Sequence, residues 1–139
     1  RDLETTQQAI TAAETGHLVL TTLHTSGCAN SINRIIDSFP YEQQNQIRTQ
    51  LALSLRAIFY QTLIKTKDKK GRIGAFEVMF VNNANANMIR KGTVHQINSV
   101  IETSSKEGMQ TMKKAITDLY QAGLISEEDA LENMPKELD

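Results

Sequence analysis

The segment that decides the fold reads Gly16-His17-Leu18-Val19-Leu20-Thr21-Thr22-Leu23-His24-Thr25. Its apolar run over Leu18 to Leu23 is β-prone, contains only two threonines as polar residues, and has a helical pattern on each side. Short runs of this kind are typical of strands covered on both faces, as in the parallel sheet of an α/β protein. The sequence therefore predicts a buried strand at this position and an α/β fold.

Two histidines bracket the predicted strand. His17 and His24 are an odd number of residues apart, so on an extended strand their side chains point to opposite faces, near opposite ends. They cannot share one ligand unless the strand bends. In open α/β sheets, ligands bind outside the carboxyl ends of the strands, so His24 with Thr25 and Ser26 is the candidate site. From the pattern alone, a structural role at a strand end is the commoner one for both histidines.

Helical patterns flank this segment. Thr5-x-x-Gln8 has the form of a capping box, and Gly16 ends the helix that it opens. Apolar residues recur at helical spacing from Ile32 to Phe39, and another helix begins near Glu42. The apolar stripe of that helix comprises Ile47, Leu51, Leu55 and Ile58.

The middle of the chain predicts a β-hairpin. Residues 61–66 and 72–81 are strand-like, and the polar residues 67–71 form the turn between them. Along the second strand, apolar residues alternate with Glu77 and Met79. The apolar residues of that alternation are Phe76, Val78 and Phe80.

The pattern is helical from Asn82 to the end. Breaks near Gly92 and Gly108 separate three short amphipathic stretches, and Ser126-x-x-Asp129 opens a last helix. A single strand of parallel-sheet character needs strand neighbours, which an antiparallel hairpin supplies poorly. Either residues 18–23 are not a strand, or the neighbouring strands lie before the first residue.

Composition excludes several classes of protein. The 139 residues carry 15 Lys and Arg against 16 Asp and Glu, a net charge of −1, and 40% are hydrophobic, which suits an ordinary core-forming domain. The single cysteine cannot form an internal disulfide, and no apolar run approaches the roughly 20 residues that span a bilayer. A cytoplasmic protein is expected.

One basic cluster occurs, at the hairpin turn. It comprises Lys65, Lys67, Lys69, Lys70 and Arg72. Because no aromatic residue is interleaved for base stacking, a solvated hairpin tip is favoured over nucleic-acid binding, and no nucleic-acid partner is expected. The 139 residues contain neither a P-loop, nor a dinucleotide fingerprint, nor a metal-ligand motif, so no metal site is predicted.

Several segments resemble known ATPases. Arg1-Asp2-Leu3-Glu4-Thr5 and the run from Thr11 to Thr25 resemble the Walker B run-out and the His box of secretion-type hexameric ATPases. Five further motifs resemble the type IV pilus retraction ATPases within that superfamily. They are Ile32-x-x-Ile35-Ile36-Asp37-x-Phe39-Pro40, Gln61-Thr62-Leu63, Gly71-Arg72-x-x-Ala75-x-Glu77, Asn87-Met88-Ile89-Arg90 and Gly108-Met109-Gln110-Thr111-Met112.

The resemblance implies a fold and a site. Residues 1–81 would be the carboxyl-terminal part of a RecA-like P-loop ATPase domain, with the His box and the hairpin, and residues 82–139 a helical C-terminal subdomain. The P-loop, the Asp box and the catalytic glutamate would precede Arg1. His24, His17 and Arg1 would lie near the γ-phosphate as catalytic residues, and His24 with Thr25 would contact the nucleotide. ATP and Mg²⁺ would be the cofactors of the full-length protein.

A motor motif of the retraction branch, Ala-Ile-Arg-Asn-Leu-Ile-Arg-Glu, aligns with residues 84–91. Asn87, Ile89 and Arg90 match it, together with Ala84, whereas Asn85, Ala86 and Lys91 differ. The assembly and secretion branch usually carries a four-cysteine zinc element near the hairpin. This chain has only Cys28, which favours the retraction branch.

The resemblance therefore implies part of a motor subunit that couples ATP hydrolysis to pilus disassembly in twitching motility. A hexameric ring of such subunits would act with the inner-membrane pilus machinery, at the cytoplasmic face of the cell membrane. Without a P-loop, the 139 residues alone are expected to be inactive. The alternatives are a non-enzymatic helical interaction module, a pilus assembly or secretion ATPase paralogue, and a nucleic-acid binder acting through the basic cluster.

Overall fold

Helices and one β-hairpin make up the structure, a computed structural model that describes residues 2–136. Two 3-10 turns, Val94–Gln96 and Ser105–Glu107, join the later helices. In chain order the elements are α1 Leu3–Glu14, α2 Cys28–Asp37, α3 Tyr41–Ser54, β1 Ala57–Lys65, β2 Arg72–Phe80, α4 Asn83–Lys91, α5 Ile97–Thr103, α6 Met112–Gln121 and α7 Glu127–Asn133.

Helix α1 begins earlier than the predicted capping box. Asp2 is its N-cap, and the Asp2 side chain accepts a hydrogen bond from the Thr5 N–H at 2.8 Å. Thr5 therefore lies in the first turn, and its predicted capping role is wrong. Hydrogen bonds from Thr5 also lower the pKa of the Asp2 carboxyl. At the other end, Gly16 has a φ of +95° just after the helix, as a glycine stop predicts.

Residues 17–25 have no regular secondary structure, so the strand predicted over Leu18–Leu23 is wrong for this chain. Leu18 and Leu20 are 84% and 87% exposed. A strand needs a hydrogen-bonded neighbour, and the sheet formed by the described residues contains only β1 and β2, paired with each other. The apolar run therefore lies unpaired on the surface.

The hairpin is confirmed. Strands β1 and β2 pair antiparallel, from Ala57 opposite Phe80 to Lys65 opposite Arg72. Strand β1 begins four residues before its predicted start, because α3 ends at Ser54. Ile58, predicted on the stripe of the preceding helix, consequently lies in β1.

The two faces of β2 have unexpected environments. Ala75, Glu77 and Met79 are buried on the inner face, whereas Phe76 and Phe80 are 41% and 39% exposed on the outer face. On that outer face Phe80 contacts Phe59 of β1 edge to face, with ring centroids 6.0 Å apart. The alternation in the sequence predicts two faces for β2, but the charged residue, Glu77, lies on the inner face rather than the outer one.

Buried apolar residues form two clusters. The first lies under α1 to α5 and includes Ile10, Cys28, Ile32, Ile36, Ile47, Leu51, Met79, Ile89, Ile97, Ile101 and Met109. The second joins the hairpin to α6 and α7 and comprises Ile64, Ala75, Met112, Ala115, Ile116, Ile125 and Ala130. Both clusters draw on residues before and after position 81, and the division of the chain at that position stays a prediction.

The later helices begin and end as the sequence predicts. The Ser126 hydroxyl accepts a hydrogen bond from the Asp129 N–H at the start of α7, and Gly92 and Gly108 adopt positive φ at the ends of their helical stretches. Within residues 2–136, no helix has both the length and the apolar character needed to cross a membrane.

Candidate functional site

A cleft of about 780 Å³ lies between α1, the irregular segment 17–25, α2 and α3. Ile10 and Leu51 contribute apolar surface, and Arg34 and Asp37 contribute one charge of each sign. The remaining lining is rich in hydroxyl groups and holds one imidazole. These polar residues are Thr5, Thr6, Thr21, Thr22, His24 and Thr25.

The loop from Thr25 to α2 is tied together by its own side chains. The Thr25 and Ser31 hydroxyls lie 2.6 Å apart, and the Ser31 hydroxyl also donates to the Gly27 carbonyl at 2.9 Å. Asn30 Nδ2 donates to the Ser26 carbonyl at 2.7 Å. Gly27 has a φ of +95°, a conformation that a side chain would strain. The first turn of α2 thus fixes Thr25 at the edge of the cleft.

The two predicted histidines have different surroundings. His24 is exposed and lines the cleft beside Thr25. His17 lies at the end of α1, where its Nδ1 is 3.2 Å from the Ala12 carbonyl oxygen and 3.3 Å from the Thr15 hydroxyl. The structure therefore brings His24 and Thr25 together and leaves His17 against the helix terminus. Arg1, the remaining predicted catalytic residue, lies outside the described residues.

The predicted motor-motif residues lie on α4, away from the cleft lining. Ile89 is fully buried in the first cluster, while Asn87 and Arg90 are exposed. Helix α4 packs against α3, whose residues Leu51 and Ser54 line the cleft. Asn87 and Arg90 therefore do not line this cleft, and their part in the motor stays a prediction.

The basic cluster at the hairpin tip is partly used within the fold. Lys69, at a φ of 60°, forms an ion pair with Asp129 at the start of α7. The Lys67 N–H donates to the Leu124 carbonyl at 2.9 Å. Hydrogen bonds from Lys69 and Ser126 lower the pKa of the Asp129 carboxyl. These contacts dock the tip of the hairpin on the last helix.

Sequence reasoning found no role for Glu77, although this residue stands in one of the motifs quoted above. Glu77 is 7% exposed, and its two carboxylate oxygens accept hydrogen bonds from the Cys28 N–H at 2.8 Å and the Met112 N–H at 3.3 Å. The signal available was a lone acidic residue inside an otherwise apolar strand. The burial of Cys28 and the charge of Glu77 raise the pKa of the Cys28 thiol.

The cleft has the chemistry of one wall of an anion site. An imidazole N–H donates hydrogen bonds to phosphate oxygens, so His24 fits a bound phosphate. The Thr25 hydroxyl lies beside it but donates its one proton to the Ser31 hydroxyl, whose own proton goes to Gly27, so Thr25 binds a phosphate through this group only on leaving Ser31. A cation such as Mg²⁺ prefers several oxygen ligands. Across residues 2–136, no three His, Cys, Asp or Glu side chains come close enough together to hold a metal ion by themselves. A Mg²⁺ ion bound through one or two carboxylates and the nucleotide phosphates needs no such group.

Comparison with known proteins covers nearly the whole chain. A family model described as "Type II/IV secretion system protein" matches residues 1–132. The chain is 46% identical over 130 residues to a "Twitching motility protein" of Neisseria gonorrhoeae, a match that covers 94% of this chain and 35% of that protein. It is 47% identical over 132 residues to the "Type IV pilus retractation ATPase PilT" of Pseudomonas aeruginosa, covering 95% and 38%.

Solved structures give the same result. A crystal structure of the pilus retraction motor PilT with bound ADP superposes with a TM-score of 0.88 at 42% identity, over 99% of this chain and 38% of that one. The chain thus spans little more than a third of the length of the proteins that it matches.

Proposed function

Because this chain belongs to the type II/IV secretion system protein family, we propose that it is part of an ATP-driven motor subunit that retracts type IV pili. The observation that carries the proposal is the likeness to a twitching motility protein and a retraction ATPase along both the cleft region and the later helices. The structure with bound ADP supports a nucleotide as the ligand of the relative.

In this proposal, the cleft forms one wall of the nucleotide site. His24 and Thr25 would hydrogen-bond the terminal phosphate, which is consistent with their place together at the cleft edge. ATP would supply the transferable phosphoryl group. Loss of that phosphate would remove a hydrogen-bond acceptor from the loop and so change the position that the loop prefers. His17 would stabilise the end of α1 through the Ala12 carbonyl and the Thr15 hydroxyl rather than contact the phosphate.

The remaining features of the proposal concern the assembly. We propose a homo-oligomeric ring, of six subunits as in the secretion-type ATPases that the sequence resembles, working with the pilus machinery at the cytoplasmic face of the inner membrane. The 139 residues contain no P-loop. Because positioning and charge neutralisation of the phosphates supply most of phosphoryl-transfer catalysis, we expect no ATP turnover by residues 1–139 alone.

The test is substitution in the full-length protein. We expect His24→Ala to lower kcat for ATP hydrolysis by about tenfold with little loss of thermal stability, and Thr25→Ala to lower kcat similarly with some loss of stability, because it removes the hydrogen bond to Ser31. His95→Ala is the matched control, because His95 is an exposed histidine outside the cleft lining. Unchanged turnover in the His24 and Thr25 variants would remove both residues from the site.

Deletion of the gene separates retraction from assembly. A retraction motor predicts cells that carry pili and do not twitch, because fibres form and are not withdrawn. An assembly motor predicts cells without pili. Electron microscopy of the deletion strain, together with a surface motility assay, distinguishes these outcomes, and a strain that twitches normally would contradict the proposal.

A further inference from the structure

Glu77 is a charged side chain in the interior of the fold. It lies on the inner face of β2 between Ala75 and Met79, and only 7% of it is exposed. Removing a carboxylate from water is costly unless hydrogen-bond donors replace the lost water. The proposed nucleotide contacts give this side chain no task, so its burial requires a separate explanation.

Two backbone amides compensate the burial, and each belongs to the first residue of a different helix. Glu77 Oε1 accepts from the Cys28 N–H of α2 at 2.8 Å, and Oε2 accepts from the Met112 N–H of α6 at 3.3 Å. Amides in a first helical turn have no partner within their own helix, and the helix dipole favours a negative charge there. One carboxylate therefore joins the starts of two helices that are far apart in sequence.

Helix α2 depends on this carboxylate for its capping. Its N-cap residue is Gly27, which has no side chain to bond the free amides. A Cβ added to Gly27 would lie 3.5 Å from Glu77 Oε1, so the carboxylate is in close contact with the turn. The Ser31 and Thr25 hydroxyls, 2.6 Å apart, connect that same turn to the edge of the cleft.

Helix α6 is held against β2 on both sides of Glu77. The Val78 N–H donates to the Gln110 carbonyl at 2.9 Å, and the Gln110 N–H donates back at 3.1 Å. Gln110 Nε2 donates to the Phe76 carbonyl at 2.8 Å. The segment before α6 thus forms an isolated β-bridge with β2 at Val78, next to Glu77, so a shift of α6 would displace the partners of that carboxylate.

We propose that Glu77 is a positioning residue that couples helix α6 to the loop carrying His24 and Thr25. The inference rests on the proposed nucleotide site and adds a route from that site to the later helices. A movement of the loop on phosphate loss pulls on the Cys28 amide, and the shared carboxylate passes the displacement to Met112.

A helix cap that only stabilises the fold is the competing explanation, and Asp129 provides the matched control. Asp129 is a carboxylate of 8% exposure in the first turn of α7, where it accepts a hydrogen bond from the Ser126 hydroxyl and pairs with Lys69, and it does not line the cleft. In the full-length protein, we expect Glu77→Gln and Asp129→Asn both to lower the thermal midpoint. Only Glu77→Gln is expected to lower kcat, by about fivefold with KM unchanged. The NH2 group of glutamine is a donor, so the variant can accept a hydrogen bond from only one of the two amides, Cys28 or Met112.

A double-mutant cycle with His24→Ala tests whether Glu77 acts through the loop. If it does, the His24→Ala/Glu77→Gln variant has a kcat within about twofold of His24→Ala alone. Effects that multiply, or an equal loss of kcat in Asp129→Asn, overturn the coupling. If His24→Ala alone leaves turnover unchanged, the proposed nucleotide site fails, and the exchange measurement below then decides the coupling alone.

Hydrogen exchange gives a readout that does not depend on turnover. A non-hydrolysable ATP analogue is expected to change the protection of the α6 amides from Met112 to Ala115 in the full-length protein. Glu77→Gln is expected to abolish this change while the change at residues 25–31 remains. If Glu77→Gln does not fold, Glu77→Asp replaces it, because its side chain is too short to reach both amides. An α6 response that is absent in the unmodified protein, or that survives both substitutions, overturns the proposal.

Discussion

Cys28 is a thiol with no exposed surface at the first position of α2. Burial, and secondly the Glu77 charge, raise the pKa of this thiol above its ordinary value of 9.0. Below pH 9.0 the thiol is neutral in the folded and unfolded chains. Above that pH the unfolded chain loses the proton while the folded chain keeps it, so the stability contributed by Cys28 falls as the pH rises.

The prediction from this shift is a comparison with Cys28→Ala. We expect the excess stability of the unmodified 139-residue chain over the variant, measured by urea denaturation, to be smaller at pH 10 than at pH 7 (about one unit above and two below the ordinary thiol value). Iodoacetamide at pH 8 is expected to modify the thiol only after urea is added. A constant difference in stability, or rapid modification of the folded chain, would contradict the shift.

Asn85 is a polar residue in a position where the related motor motif has isoleucine. It is fully buried, and its Nδ2 donates to the Phe80 carbonyl at 2.8 Å, but among residues 2–136 its Oδ1 has no hydrogen-bond partner. An unsatisfied buried oxygen costs at least as much as a typical hydrogen bond contributes. The polar groups of this side chain therefore give no net gain in stability over an apolar residue.

Substitution at Asn85 tests that balance. We expect Asn85→Ile to leave the free energy of unfolding within about 1 kcal/mol of the starting value, because the lost hydrogen bond is offset by added apolar burial. Asn85→Asp is expected to lower it by about 2 kcal/mol or more, because it buries a carboxylate that, unlike isoleucine, brings a charge next to the Phe80 carbonyl oxygen. Urea denaturation measures both, and a loss in Asn85→Ile as large as in Asn85→Asp would show that the hydrogen bond dominates.

At the scale of the elements, the hairpin is held to α7 through its tip. The Lys69–Asp129 ion pair and the Ser126 hydroxyl lower the pKa of Asp129 below its ordinary value of 3.8. Stability from this carboxylate is present above pH 3.8 and is lost as the pH falls through the lowered pKa of the folded chain.

Asp129→Asn in the 139-residue chain tests the tip contact. We expect the thermal midpoint of the variant to be lower than that of the unmodified chain at pH 7, and the two midpoints to converge as the pH falls below 3.8. Asp118→Asn is a suitable control, since Asp118 pairs with Lys114 on an exposed face of α6. A difference at pH 7 that stays unchanged in acid would assign the effect to the shape of the side chain rather than to its charge.

The elements differ in how well sequence predicts them, and the reason is physical. Local signals, such as the polar turn at residues 67–71 and the Ser126 cap, determined the hairpin and the last helix correctly. The strand over residues 18–23 failed because pairing depends on neighbours that local pattern does not contain. The inward side of β2 was also unpredictable, since Glu77 faces the core only because two helix starts meet there.

In the candidate site, too, residues with a local sequence signal were predicted and residues that depend on distant contacts were not. His24 and Thr25 were found from their position after an apolar run, and the structure places both at one cleft. Glu77 was not found, because its partners are backbone amides and leave no mark in side-chain patterns. Ser31, which bonds Thr25, was missed because a lone serine on a helix has no distinctive spacing.

At the scale of the whole molecule, apolar surface remains uncovered. Leu18 and Leu20 are more than four-fifths exposed, and Phe59 and Leu63 of the hairpin are 62% and 52% exposed. Unpaired apolar segments of this kind favour association between copies. Residues 1–139 alone are therefore predicted to self-associate.

Leu20→Lys in the 139-residue chain tests this association. We expect lower light scattering at equal concentration, with no loss of thermal stability, because Leu20 contributes almost no buried surface to this chain. Leu131→Lys is the matched control, since Leu131 is 67% exposed on α7, away from the unpaired segment. Equal scattering from the unmodified chain and the Leu20 variant would show that the chain self-associates through a different surface.

The two apolar clusters adjoin along β2, where Ala75 belongs to one, Met79 belongs to the other, and Glu77 stands between them. Their boundary is thus polar and is matched by hydrogen-bond geometry rather than by side-chain volume. A substitution that enlarges a side chain in one cluster therefore does not require a compensating smaller side chain in the other cluster. Sequence drift can therefore proceed independently in the two cores, provided that the carboxylate between them and its two amides keep their places.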